Sequence, residues 1–222
     1  GVGRAPGADQ PPMRALRRDP MSAGSFPEDV LALRGFLGDD SRVPGVRAIP
    51  GAGTKVPLYI LGSSTFGAQL AAHLGLPYGF ASHFAPEALT QAVDVYRRGF
   101  QPSEQATEPW VIAGVNVIVA PTEREAAEEL NHATRSRVAA LLAPGRKLSD
   151  AELDSVMSSP GGRQVASMMR YTASGTPDTV KTYLDDFQQH ANADELIVVP
   201  ASRSVENRLQ SLELLAQVSR LG

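Results

Sequence analysis

Two short stretches of this chain carry residue types that hold anions. Gly62-Ser63-Ser64-Thr65 stands between a β-rich run, Val56 to Leu61 (VPLYIL), and a helical pattern reaching about Leu74, where Gly75 is a stop signal. At such a junction the first helical N–H groups lack intrahelical acceptors and the helix dipole favours negative charge. Serine hydroxyls add donors, so phosphate is the natural guest. The plainer alternative is that Ser64 or Thr65 only caps the helix. A serine nucleophile is not indicated, because a nucleophile elbow needs Gly-x-Ser-x-Gly and Phe66 stands in place of its second glycine.

The second stretch is the opening Gly1-Val2-Gly3-Arg4-Ala5-Pro6-Gly7. A glycine such as Gly3 lets the backbone approach a ligand closely, and Arg4 could clasp a phosphate through two N–H groups. The third glycine is misplaced for a dinucleotide fingerprint, and taken alone a frayed terminus is the simpler reading. His83, in Ser82-His83-Phe84 after a second β-rich run, Pro77 to Ala81 (PYGFA), invites a catalytic reading if that run is a barrel strand. A lone histidine without a partner near in sequence is more often a packed or capping residue. No catalytic residue is assigned from the sequence. Arg14, Arg17 and Arg18 form a surface patch or reach toward a phosphate. The carboxylates from Glu123 to Glu129 read as the solvated face of a helix, and Met168 and Met169 as gap fillers.

The elements that must position these residues alternate. After Pro77–Ala81 a helix is expected from Pro86, with Leu89, Ala92, Val93 and Tyr96 on one face. Trp110 to Ala120 (WVIAGVNVIVA) is continuously apolar, the pattern of a strand covered on both faces. Thr122-x-x-Glu125 is a capping box for a helix whose stripe is Ala127, Leu130 and Ala133. Residues 141–175 break the rhythm, with Pro144-Gly145 and Pro160-Gly161-Gly162 around one short helix from about Asp150 to Met157. Their position suggests an excursion or lid. Thr176-Pro177 then caps a helix with Val180, Tyr183, Leu184 and Phe187 on its buried face. Glu195 to Val199 (ELIVV) is a fourth strand, and a last helix presents Leu209, Leu212 and Ala216. Residues 1–55 are rich in Gly, Pro and Arg, with one helix from Pro27 to Leu37. Alternating strands and helices predict an α/β fold with a parallel sheet.

Composition narrows the function. The 222 residues are enough for a sizeable core, and a net charge of −3 with scattered Lys and Arg leaves no footprint for nucleic acid or an anionic membrane. No cysteine is present, which excludes disulfides, thiolate metal sites and a cysteine nucleophile and fits a cytoplasmic setting. The longest apolar run is about half of the ~20 residues needed to span a bilayer. The chain opens on Gly1 without a signal-peptide pattern, as a processed chain or a piece of a longer one would.

Several blocks together resemble the luciferase-like, flavin-dependent monooxygenase family: GVGRAPGADQ at 1–10, RAIPGAGTKVPLYILGSSTFGAQLAAHLGLPYGFASHFAPEAL at 47–89, YRRGFQPS at 96–103 and GTPDTVKTYLDDF at 175–187. The resemblance implies one partial (β/α)8 TIM barrel domain over 1–222, from the end of strand four through strand eight. Its parts would be a loop-rich region at 1–55, β/α units five to seven at 56–140, the excursion at 141–175, and strand eight with the last helices at 176–222. Family members carry roughly a hundred further residues before this opening, which complete a barrel of eight strands. The implied chemistry is oxygenation of a small organic substrate by O2 and reduced FMN, with the reduced cofactor supplied by a separate flavin reductase. A homodimer is the implied assembly. The family holds the FMN phosphate with an arginine after strand four and serine at the end of strand five, which places Gly3, Arg4, Gly62, Ser63 and Ser64 at the cofactor. A non-catalytic flavin-binding protein and a deazaflavin-dependent oxidoreductase on the same fold are the alternatives.

Overall fold

Helices and strands alternate along the chain as the hydrophobic pattern requires. The computed structural model describes residues 1–4, 24–39 and 41–219, so Arg14, Arg17 and Arg18 lie outside the described residues. Two compact units are present: Gly1–Gly79 with Gln91–Trp110, and Phe80–Thr90 with Val111–Gly222.

In the first unit, β1 (Val2–Gly3) pairs in parallel with β2 (Ile60–Gly62), Val2 opposite Ile60 and Gly3 opposite Leu61. α1 (Phe26–Leu37) falls where the sequence places it. β2 is shorter than the apolar run Val56–Leu61, because the Gln105 side chain takes the partner's role at Leu58: Leu58 N donates to Gln105 Oε1 at 3.0 Å and Gln105 Nε2 to Leu58 O at 2.7 Å. α2 (Thr65–Leu74) ends at Gly75, which adopts φ 64°. α3 (Leu89–Gly99) starts three residues after Pro86, and its Leu89, Ala92, Val93 and Tyr96 are all buried. β3 (Tyr78–Phe80) follows α2 in the chain. The Tyr96 hydroxyl donates to Leu76 O at 3.0 Å and accepts from Trp110 N at 3.0 Å, so one buried phenol joins three segments.

The second unit is organised by β4 (Val111–Val119), buried along its length except for the half-buried Ile112. It pairs in parallel with β5 (Thr172–Gly175), Asn116 opposite Thr172 through Val119 opposite Gly175. It also pairs in parallel with β6 (Glu195–Pro200), Ile112 opposite Glu195 through Val117 opposite Pro200. Around it run α4 (Glu123–Leu142), α5 (Asp150–Ser158), α6 (Pro160–Ser167), α7 (Pro177–Ala191) and α8 (Val205–Val218).

Five expectations are corrected. Segment 141–175 holds two helices and a strand rather than one short helix. Pro160-Gly161-Gly162 starts α6 instead of breaking the chain: Pro160 is in its first turn, and Ser159 Oγ accepts from Gly162 N at 3.0 Å. β5 escapes notice because Thr-Ala-Ser-Gly has no apolar period. The α4 stripe is Ala126, Leu130 and Ala133, packed on Ile118 and Ala120, while Ala127 faces solvent. α8 buries Ser211 and Leu215 and leaves Leu209 and Leu212 exposed, because the Ser211 hydroxyl is needed to accept from Val119 N at 2.7 Å. The carboxylates from Glu123 to Glu129 also do more than face water: Glu125 accepts from Thr122 Oγ1 at 2.9 Å and Glu128 from Arg124 Nη1 at 2.8 Å, and two others reach neighbouring helices. Glu123 Oε1 accepts from Thr179 Oγ1 (2.6 Å), Thr176 Oγ1 (3.0 Å) and Thr176 N (3.1 Å) at the start of α7. Glu129 accepts from Arg203 N at 3.0 Å and Asn207 Nδ2 at 2.8 Å at the start of α8. Thr176 therefore does not cap α7 with its own hydroxyl.

Gly75 and Gly145 both sit at positive φ, but a Cβ on Gly75 would lie 2.4 Å from Gln101 O, whereas nothing lies within 4 Å of one on Gly145. Gly75→Ala should therefore destabilise by about 2–4 kcal/mol and Gly145→Ala by only about 1 kcal/mol, read from urea unfolding midpoints. Equal losses would show that the carbonyl contact is not felt. The Thr179 hydroxyl, then the Thr176 N–H and hydroxyl, hold the Glu123 carboxyl below its usual value of 4.5. The folded state then binds its proton less readily than the unfolded chain, so this stabilisation is present above about pH 4.5 and lost as pH falls below it. Glu123→Gln should flatten that part of the acid-side loss in a pH series of unfolding midpoints.

Candidate functional site

The parallel pairing of β1 with β2 ends at Gly3 and Leu61, so Arg4 and Gly62 are the next residues along each chain direction. A Cβ on Gly3 would come within 3.2 Å of Leu61 O, so glycine is what permits this close pairing. Beyond it the Arg4 guanidinium carbon lies 4.1 Å from the centroid of the Phe66 ring. Phe66 is the second residue of α2, so a cation–π contact holds the arginine at that helix's first turn. The two stretches singled out by sequence, some sixty positions apart, meet there. Among the described residues Arg4 makes no ion pair.

The start of α2 has no side-chain cap. Ser64 occupies the N-cap position in extended conformation, but its side chain makes no capping bond. The N-cap side chains of α4, α5, α6 and α8 do, while those of α1 and α7, like Ser64, do not. Capping is thus not what Ser64 does here. Ser63 is exposed and Ser64 half-buried. What fixes the turn is Tyr78, whose hydroxyl donates to Ser64 O at 2.9 Å. The ring of Tyr78 fits against two glycines: a Cβ on Gly62 would stand 3.2 Å from its hydroxyl oxygen, and one on Gly67 3.3 Å from Cε2. Burial raises the Tyr78 pKa far above that of a free phenol, so the hydroxyl remains a neutral donor. The result is a corner with a guanidinium, two serine hydroxyls and helix N–H groups that no side chain caps among the described residues, chemically suited to an oxyanion such as phosphate.

His83 lies in the second unit, after the end of β3. Its carbonyl accepts from Asn116 Nδ2 at 2.6 Å and from Arg137 Nη1 at 3.3 Å. Its ring lies edge-on to Phe84 and against Gly114, where a Cβ would be 2.5 Å from Nδ1. Nδ1 is enclosed and has no hydrogen-bond partner. Burial, and secondly the positive charge of Arg137, lower the His83 pKa below the usual 6.5. The sequence had no partner to offer His83; the structure supplies Gly114, Asn116 and Arg137 from 31 to 54 positions away.

Residues that sequence reasoning missed include Phe66, Gly67 and Tyr78. Phe66 had a signal, since it displaces the glycine of a nucleophile elbow, and a hydroxyl inside a buried strand, as on Tyr78, must find an acceptor. Arg137 had none, being one of several arginines on α4.

Comparison with known proteins places this geometry. The family model described as luciferase-like monooxygenase matches residues 25–192. YvbT of Bacillus subtilis (strain 168) is 39% identical over 222 residues, covering 98% of this chain and 66% of the relative. A luciferase-like monooxygenase of Escherichia coli (strain K12) is 48% identical over 128 residues, 57% of this chain and 38% of the relative. The crystal structure of apo-MsnO8 superposes with a TM-score of 0.81 at 31% identity, covering 100% of this chain and 68% of that one. The chain thus spans about two thirds of the length of relatives such as YvbT, at 66%. Its α/β arrangement of parallel strands and helices is that of the luciferase-like TIM-barrel proteins, and among the described residues no helix is long and apolar enough to cross a membrane. By family model, sequence and structure alike, this chain belongs to the luciferase-like monooxygenases.

Proposed function

We propose that the chain is the cofactor-phosphate-binding part of an FMN-dependent monooxygenase that oxygenates a small organic substrate with O2. The observation that carries the reading is the meeting of Arg4 with the uncapped N-terminus of α2, through Phe66. Reduced FMN, when bound, supplies the electrons that place one oxygen atom of O2 in the product and the other in water. Arg4 would bind its phosphate by charge-assisted N–H donation, and Ser63 and Ser64 by their hydroxyls. The free N–H groups at the start of α2 would add donors and the positive end of the helix dipole. Gly3 and Gly62 leave the backbone bare where the phosphate approaches. Tyr78 does not touch the ligand in this reading; it holds the Ser64 carbonyl, and with it the turn. A separate flavin reductase as electron source, a cytoplasmic setting and a homodimer complete the proposal. The E. coli relative's description as a monooxygenase supports oxygenation over hydride transfer from a deazaflavin.

Arg4→Ala and the Ser63→Ala/Ser64→Ala double variant should each weaken FMN binding by about 1–3 kcal/mol in calorimetric titrations. Riboflavin, which lacks the phosphate, should bind wild type and both variants alike. If FMN affinity is unchanged in both variants, or riboflavin suffers the same loss, the phosphate does not sit at this corner. Preferential binding of a deazaflavin over FMN, read by absorbance of the complex, would instead assign hydride transfer.

A further inference from the structure

Arg135 and Arg137 stand two residues apart on α4 and are treated in opposite ways. Arg135 pairs with Asp150, at 3.5 Å, and with Asp154 of α5. Arg137 is half-buried and, among the described residues, has no carboxylate partner. Its Nη1 donates to His83 O at 3.3 Å and lies 3.2 Å from Met169 Sδ. A carbonyl and a thioether do not neutralise a charge. The Arg137 pKa is accordingly lowered by burial with no opposing anion. A guanidinium has five N–H donors, and those on Nε and Nη2 make no bond among the described residues. Partly withdrawing a cation from water without a counter-ion costs free energy, and a bound anion would offset that cost.

Beside it stands a second donor. His83 Nδ1 is enclosed without a partner, and an enclosed N–H is the rarer and costlier kind of orphan, so the ring proton belongs on Nε2. Nε2 is not among the enclosed atoms and makes no hydrogen bond among the described residues. Against the ring stand uncharged Gly114 of β4 and Phe84, while Asn116 of β4 holds the His83 carbonyl. Arg137 of α4 is the charge that acts on it. The imidazole is therefore a neutral donor at pH 7.

We propose that Arg137 and the Nε2–H of His83 form a receptor for a singly charged oxyanion group, a carboxylate or sulfonate, of a small molecule. As a substrate subsite this rests on the monooxygenase reading; as an anion site it stands without it. Gly114 is then a positioning residue that leaves room for the imidazole.

The test is a titration of the 15N-labelled chain with butyrate, butane-1-sulfonate and, as a neutral analogue, butan-1-ol. The His83 imidazole and Arg137 side-chain resonances are followed, the former assigned with His83→Gln. At least one anion should shift both resonances saturably while butanol does not, and the preferred anion tells carboxylate from sulfonate. Arg137→Met should weaken that anion by at least about tenfold, as loss of a charge-assisted contact requires, without changing FMN affinity. His83→Gln, which keeps the guanidinium, should weaken it less and guards against an unfolded Arg137 variant. No saturable shift with either anion, equal affinity in Arg137→Met, or a ring proton on Nδ1 at pH 7 overturns the proposal. Anion binding that persists in a chain unable to bind FMN would count against the FMN reading alone.

Discussion

A strand with no access to water must satisfy its polar groups from within the protein, and β4 is such a strand. Asn116, only 2% exposed in its middle, donates to the His83 carbonyl. Gly114 O accepts from Ser82 Oγ at 2.6 Å, Val119 N donates to Ser211 Oγ, and Val111 N donates to Asp194 Oδ2 at 2.7 Å. These bonds tether the turn after β3, the helix α8 and the approach to β6 to one strand. An orphan in any of them would cost about 1–3 kcal/mol, so the same bonds that relieve β4 fix where the second unit's chain segments lie.

The first unit obeys the same constraint through other residues. Tyr78, Tyr96 and Gln105 place their polar atoms on backbone groups that β2, α2 and the chain before Trp110 would otherwise leave unmet. Among the described residues the one buried side-chain polar atom without a partner is His83 Nδ1; near it Arg137 has no carboxylate partner, and in the other unit the start of α2 has no side-chain cap. A fold that recruits a serine 92 positions away to serve one strand N–H gives the half-buried Arg137 only a carbonyl and a thioether. Arg135, two residues off, has two carboxylates.

Much of this was legible in the sequence, and the limits have physical causes. β4, α2 and α7 announced themselves because burial writes a period or an unbroken apolar run. The corner at Arg4, Ser63 and Ser64 was legible as two halves, each weak, because one carries glycines before a cation and the other hydroxyls at a helix start. Their meeting was not readable from spacing, since it depends on the pairing of Val2 with Ile60. β5 was invisible because Thr172–Gly175 is held by its register with β4 rather than by its own side chains. The stripe of α8 was misread because hydrophobicity was taken as the guide to burial, whereas a hydrogen bond to Val119 N turned Ser211 inward. Arg137 looked like any surface arginine, and only tertiary structure shows which of the α4 cations lacks an anion.

The cations of the two proposed sites also differ in what they could hold. At Arg4 a full charge is joined by a helix N-terminus, which contributes the equivalent of about half a charge more, and by two hydroxyls. That matches an oxyanion of roughly −1.5 to −2, the charge of a phosphate monoester near neutral pH. At Arg137 the companion is an imidazole whose enclosed Nδ1 and lowered pKa keep it uncharged, so the site offers a single positive charge. A dianion there would leave one charge unmet in a half-buried place, whereas a carboxylate or sulfonate would leave none. If both proposals hold, the count of charges at each site would help to separate a cofactor's phosphate from a substrate's acid group.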